Sequence, residues 1–147
     1  MAIEALVAHR GPARLVKRVL DWDDDSLVCV GRISSGSPFV TDGSAPAFVG
    51  LELAAQAAAV HDALLRGRSG SAPGAVGGYL VGIKEAQFGS SLLAANADLK
   101  TTVRLIGSAP PLAIYRVRVE RAGVECVAAS ISTWSGPPLA EKDRPHD

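Results

Sequence analysis

The chain has 147 residues, 48% of them hydrophobic, and its 15 basic residues balance 15 acidic ones. That apolar content suits one domain with its own core and excludes a charge-dominated disordered chain. With no net charge, there is no global field to hold nucleic acid or an anionic membrane surface, so neither is an expected partner.

In chain order, Arg14 to Trp22 and Ser26 to Ser34 read as strands. In the second, Leu27, Cys29, Gly31 and Ile33 share one face, while Val28, Val30 and Arg32 share the other. The run Asp23-Asp24-Asp25 between them reads as a turn. A polar loop, Ser34 to Ser44, leads to a helix over Pro46 to about Leu65, with Ser44 as a possible N-cap and Pro46 in its first turn. Gly67 is expected to stop that helix. The helix has about the length that crosses a bilayer. It carries Glu52, Gln56, His61 and Asp62, however, which favours a buried soluble helix over a membrane span.

The Gly- and Ser-rich stretch Gly67 to Gly78 is too short to separate two domains and reads as a loop. Four strands follow, Tyr79 to Phe88, Ala97 to Ile106, Leu112 to Arg121 and Glu125 to Trp134, with Ala122-Gly123 as a tight hairpin turn. Within the second of these, Leu99, Thr101, Val103 and Leu105 alternate with Lys100, Thr102, Arg104 and Ile106, the pattern of a sheet with one covered face. This predicts a single domain over residues 1–135 and a flexible C-terminal tail over 136–147. A helix that is apolar almost all round needs cover on most sides, so the fold class is α+β, with a curved antiparallel sheet wrapped around one central helix.

Cys29 and Cys126 are far apart and lie in strand-like stretches, without zinc-site spacing or disulfide density. They read as buried thiols. Met1 to Arg10 lacks a basic segment followed by a long apolar run, so the expected location is cytoplasmic.

Glu52 and Gln56 are the strongly polar side chains between Pro46 and Val60. Four residues apart on a helix, they stand about 40° from each other and share a face. A buried carboxylate is costly without a partner and can be tuned for proton transfer; the same pair could equally be structural. Of the three histidines, His61 falls about 180° from Glu52 on the helix and is not expected in the same site. His146 lies in the tail, and His9 is the one able to approach an active site, though a lone histidine is more often structural. Asp42-Gly43-Ser44 before the helix offers backbone N–H groups to polarise a carbonyl, or is simply a turn.

Together these pieces resemble the bacterial 3-hydroxyacyl-ACP dehydratases, members of the hotdog superfamily. Ala8-His9-Arg10-Gly11-Pro12 followed by Leu15-Val16-Lys17-Arg18-Val19 resembles that family's P-H-R-x-P with L-x-D-R-V, and Pro38-Phe39 matches the segment leading into its active-site loop. Glu52-Leu53-Ala54-Ala55-Gln56 is similar to its helix motif E-A-M-A-Q, and Gly82-Ile83-Lys84-Glu85-Ala86-Gln87-Phe88 to its strand motif G-I-D-x-A-R-F. The family's loop histidine, in G-H-F-P, has no counterpart in Phe39-Val40-Thr41-Asp42-Gly43-Ser44-Ala45-Pro46. That departure is similar to a divergent branch of dehydratase-like proteins encoded with aryl polyene pathways.

The resemblance implies a hotdog fold and loss of water from a 3-hydroxyacyl thioester on acyl carrier protein, giving a trans-2-enoyl thioester. It implies Glu52 as a catalytic residue, with Asp42 or His9 standing in for the missing base. Gln56, Gly43, Ser44 and Phe39 are implied on the substrate side. A homodimer, or a heterodimer with another hotdog chain, is implied because the family's site lies between two chains. No cofactor and no metal are expected. Two other readings stay open: an acyl thioesterase of the same superfamily, or a catalytically degenerate subunit that partners an active dehydratase.

Overall fold

The computed structural model describes residues 13–68 and 77–136. The first hairpin joins β1 (Val16–Trp22) to β2 (Ser26–Gly31). Asp23 makes its turn: one carboxylate oxygen accepts the N–H groups of Asp25 and Ser26 at 2.9 and 2.8 Å, which also holds the Asp23 carboxyl below its usual range. As the alternation predicts, Leu27, Cys29 and Gly31 are buried while Val28 and Val30 are half-buried. Burial pushes the Cys29 thiol up to about 12, so it stays protonated.

The segment before the helix differs from expectation. Ser44–Pro46 forms a short strand, β3, antiparallel to β5 (Leu92–Ala94), and the helix α1 begins three residues later than Pro46, spanning Val49–Arg68. Ser44 is therefore not the helix cap, and Pro46 is not in the first turn. Pro46 pairs with Leu92 at the end of a two-stranded ribbon, an edge position that tolerates the missing N–H. The ribbon hands over to the helix when the Ala47 N–H donates to Ser91 C=O at 3.0 Å and the Gly50 N–H to Ala47 C=O at 2.9 Å.

Gly67 does not stop the helix either. Asp62 pairs with Arg66 at 2.8 Å along the helix, and from outside the last turn is held by an ion pair between Arg68 and Asp24 and by the Arg68 guanidinium 5.2 Å from the Trp22 ring centre. These contacts outweigh glycine's weak local preference. Most of loop 67–78, the tail over 137–147 and both His9 and His146 lie outside the described residues, as does part of the predicted domain span.

After the loop come β4 (Gly77–Phe88), β6 (Leu99–Ala109), β7 (Leu112–Arg121) and β8 (Val124–Gly136). Ala122 and Gly123 turn the β7–β8 hairpin with φ of 49° and 81°. The six long strands form one antiparallel sheet in the order β1-β2-β6-β7-β8-β4. Its inward face, including Leu27, Leu99, Val103, Tyr115, Val117, Val119, Val127 and Ile131, is buried. Against it lie Val49, Leu51, Leu53, Ala54, Ala57, Val60 and Leu64 of α1. Gly31 marks the closest approach: a Cβ there would stand 2.3 Å from a Leu53 methyl, so a side chain in β2 would push the helix away. One helix swallowed by a curved antiparallel sheet is the hotdog arrangement. No described helix is long and apolar enough to cross a membrane.

Candidate active site

Three polar side chains of α1 have different surroundings. Gln56 is buried, and its amide is spent on the backbone that opens β1. Its oxygen accepts the Leu15 N–H at 2.7 Å and the Val16 N–H at 3.4 Å, while its nitrogen donates to Ala13 C=O at 2.8 Å. The partners fix which end is which, because the N–H groups need the oxygen and the carbonyl needs the NH2. Gln56 is thus placed as a clamp on residues 13–16.

His61 is fully buried on the other side of the helix, as its spacing from Glu52 predicts. Its Nε2 lies 2.8 Å from Asp23 C=O, which can only accept, so in the neutral ring Nε2 carries the proton and Nδ1 accepts from the Tyr115 hydroxyl at 2.8 Å. Burial, with Asp62 adding to it, pushes the Tyr115 phenol well above its usual range and keeps it a donor. This end of the helix is a closed polar lock.

Glu52 differs from both. It sits in the first turn of α1, is half-buried, and has no hydrogen bond or ion pair among the described residues. A carboxylate next to the positive end of a helix is favoured there electrostatically, yet its oxygens remain available for proton exchange. Gln56, one turn on and on the same face, shows that this face looks toward the start of β1.

The turn before the helix is tighter than a loop. Asp42 and Gly43 have φ of 52° and 79°, and Thr41 and Ser44 exchange backbone bonds at 2.8 and 3.2 Å, which makes a two-residue hairpin. Asp-Gly is among the sequences that such a turn favours. Asp42 is exposed at its tip. The Ser44 N–H is spent on Thr41 C=O, so it is not available to a ligand. The positive end of the helix instead lies at Phe48–Val49.

Phe39 lies beside that opening, its ring edge-on to Phe48 with centres 6.4 Å apart. Both rings are exposed, as is Leu92, the ribbon partner of Pro46. Phe48 and Leu92 lie outside the motifs that the sequence offers for the site. The available signal was a lone large apolar residue among small ones, Ala45-Pro46-Ala47-Phe48-Val49-Gly50. Glu52, Phe39 and Phe48 are thereby grouped near the start of the helix, Asp42 belongs to the preceding hairpin, and His9 lies outside the described residues.

A second uncovered surface runs along β4, the sheet edge. Ile83 and Phe88 are in register with the buried Ile131 and Val127, hence on the inward face, yet both are exposed. Val81 is exposed on the same strand.

The sequence matches the family model ApeP-like, described as ApeP dehydratase, over residues 1–143. No curated protein matches it significantly. Among solved structures, it is similar to the dehydratase heterocomplex ApeI:P from Xenorhabdus doucetiae, with TM-score 0.85 and 20% identity over 97% of this chain and 94% of that one. A mutant thioesterase from Pseudomonas aeruginosa aligns with TM-score 0.57 and 17% identity over 82% of this chain and 81% of its own. A virulence protein from Campylobacter jejuni aligns with TM-score 0.64 and 11% identity over 92% and 96%. At these identities the structural likenesses establish the fold.

Proposed function

Since the chain belongs to the ApeP-like dehydratase family, we propose that it takes part in eliminating water from a 3-hydroxyacyl thioester on an acyl carrier protein, giving the trans-2-enoyl thioester, with Glu52 as a proton-transferring group. The observation that carries this reading is Glu52 itself: a half-buried carboxylate at a helix start with no partner among the described residues, on a helix whose buried Gln56 and His61 are both hydrogen-bonded. In the reaction a base takes the proton from C2, the C2 electron pair forms the double bond, and the C3 hydroxyl leaves as water after receiving a proton. Phe39 and Phe48 offer an apolar wall for the acyl chain beside the helix opening.

The second proton carrier is a group that this chain's loop does not supply as histidine. The candidates within the chain are Asp42 and His9. A partner chain is the third source, and two observations favour it: the uncovered inward side chains of β4, which a second sheet edge would cover, and the similarity to a structure described as a heterocomplex. In this form the chain is one subunit of a two-chain dehydratase.

The test is mass spectrometry of 3-hydroxyacyl-carrier protein incubated with the wild-type chain and with Glu52→Gln, each alone and co-purified with a second hotdog chain. Loss of one water mass with wild type, slowed on the order of a hundredfold or more in Glu52→Gln, is expected. Water loss that is equal in the two would remove Glu52 from the chemistry. Release of free carrier thiol would identify hydrolysis instead.

A further inference from the structure

The hairpin between β6 and β7 carries no charge from Leu105 to Tyr115. β2 pairs with β6 only as far as Arg104, and the Leu105 N–H then donates to Asp25 C=O at 2.7 Å. Beyond that bond this edge of β6 has no partner strand among the described residues, so the tip stands past the β1–β2 hairpin. Ile106, Leu112 and Ile114 are 54%, 44% and 44% exposed, and Ala109 and Pro110 at the turn are exposed too. They form one patch on the outer face of the sheet. A bulge sets Ile106 and Gly107 opposite Ile114, and a Cβ on Gly107 would stand 3.8 Å from an Ile114 methyl. Leu112 is in register with the half-buried Trp134, which extends the patch onto β8.

The first charged residues on either strand of the hairpin are Arg104 and Arg116, in register with each other. Like charges directly opposite across two strands oppose folding, so the pair is not there for stability. The row continues through Ser130 to Lys84, which is exposed. Glu85 pairs with Arg116 at 3.0 Å, and Asp24 of the neighbouring turn is held by Arg68, with Asp25 exposed beside it. Arg104 is exposed and has no partner among the described residues.

We propose that the β6–β7 tip docks on an anionic lipid bilayer, with Ile106, Leu112 and Ile114 entering the acyl boundary and Arg104 and Arg116 lying at the level of the lipid phosphates. Projecting apolar side chains with guanidinium groups at their base match the layers of such a surface. The chain has no net charge, so the attraction is local, felt within a Debye length of about 8–10 Å. A second copy meeting the tip about a two-fold axis would bring the two arginine pairs near each other, which a bilayer avoids. This contact lies outside the reaction proposed above and is read without turnover.

The experiment is flotation of the full chain, alone and co-purified with a second hotdog chain, with vesicles of phosphatidylcholine and of phosphatidylcholine mixed with phosphatidylglycerol. Wild type is expected to partition to the mixed vesicles about tenfold or more above the neutral ones. Ile106→Ser/Leu112→Ser should lower that partition on the order of tenfold or more, because the apolar groups that enter the bilayer are gone. Arg104→Gln should lower it roughly fivefold. The same variant should unfold at an equal or higher urea concentration than wild type, since it relieves the arginine pair, so loss of fold cannot imitate loss of docking.

No flotation of wild type with the mixed vesicles, equal flotation with both kinds, or flotation undiminished in the serine variant overturns the proposal. Absent flotation joined to a particle mass, by light scattering, that falls in the serine variant also overturns it, and assigns the tip to a protein contact.

Discussion

The two ends of α1 solve the problem of burying polar groups in opposite ways. Toward its C-terminal end, His61 is buried with both ring nitrogens engaged, by a turn carbonyl from β1–β2 and a hydroxyl from β7. At its start, Glu52 is half-buried with neither oxygen engaged by a described residue, and Gln56 one turn later is again hydrogen-bonded, to the backbone of residues 13–16. An unpaired polar group in a protein interior costs free energy, which the fold avoids at His61 and Gln56. Leaving the carboxylate without a partner contributes nothing to folding and suits a group that must exchange protons with a ligand.

The comparison breaks most sharply at His61. Truncation to alanine removes one buried and one part-buried hydrogen bond, strands the Tyr115 hydroxyl, and opens space in a packed core. A loss of about 3–4 kcal/mol of unfolding free energy in urea is expected for His61→Ala. Glu52→Ala, measured in the same way, is expected to stay within about half a kcal/mol of wild type. Comparable losses for the two would mean that Glu52 has a structural partner after all, and that the ends of the helix are alike.

Gln56→Ala sharpens the contrast within a single helix face. It leaves the Leu15 and Val16 N–H groups and the Ala13 carbonyl to find water, and about 2 kcal/mol of destabilisation is expected by urea unfolding. Amide exchange at Leu15 should accelerate in this variant, while exchange in β7 is little changed. Unchanged Leu15 exchange would show that the strand entry is held by something other than the glutamine.

Much of the fold was legible because alternation in β2 and β6 reports burial directly, residue by residue. Leu99, Thr101 and Val103 are buried, and Lys100 and Arg104 are exposed, as the pattern requires. What was not legible was short or long-range. Three-residue strands at Ser44–Pro46 and Leu92–Ala94 carry no periodicity, and Pro46 fits the end of a ribbon as well as the first turn of a helix. Gln56 sat in a motif that points to substrate, yet its partners lie 40 to 43 residues away on the backbone, where no local rule reaches. The separation of His61 from Glu52 followed from helical spacing alone; its Tyr115 partner, 54 residues away, did not.

Tyr115→Phe gives the smallest and most specific effect. It keeps the ring packed edge-on to His61, with centres 5.6 Å apart, and deletes the one donor to Nδ1. The imidazole then keeps its Nε2 bond to the Asp23 carbonyl but has a buried acceptor without a partner, a cost of about 1–2 kcal/mol by urea unfolding. Combined with His61→Ala, the phenylalanine should add little further loss, because both changes remove the same bond and residues in one network are not additive. Full additivity in that double variant would show that Tyr115 stabilises the sheet independently of the helix, and the polar lock would reduce to the single bond between His61 and the β1–β2 turn.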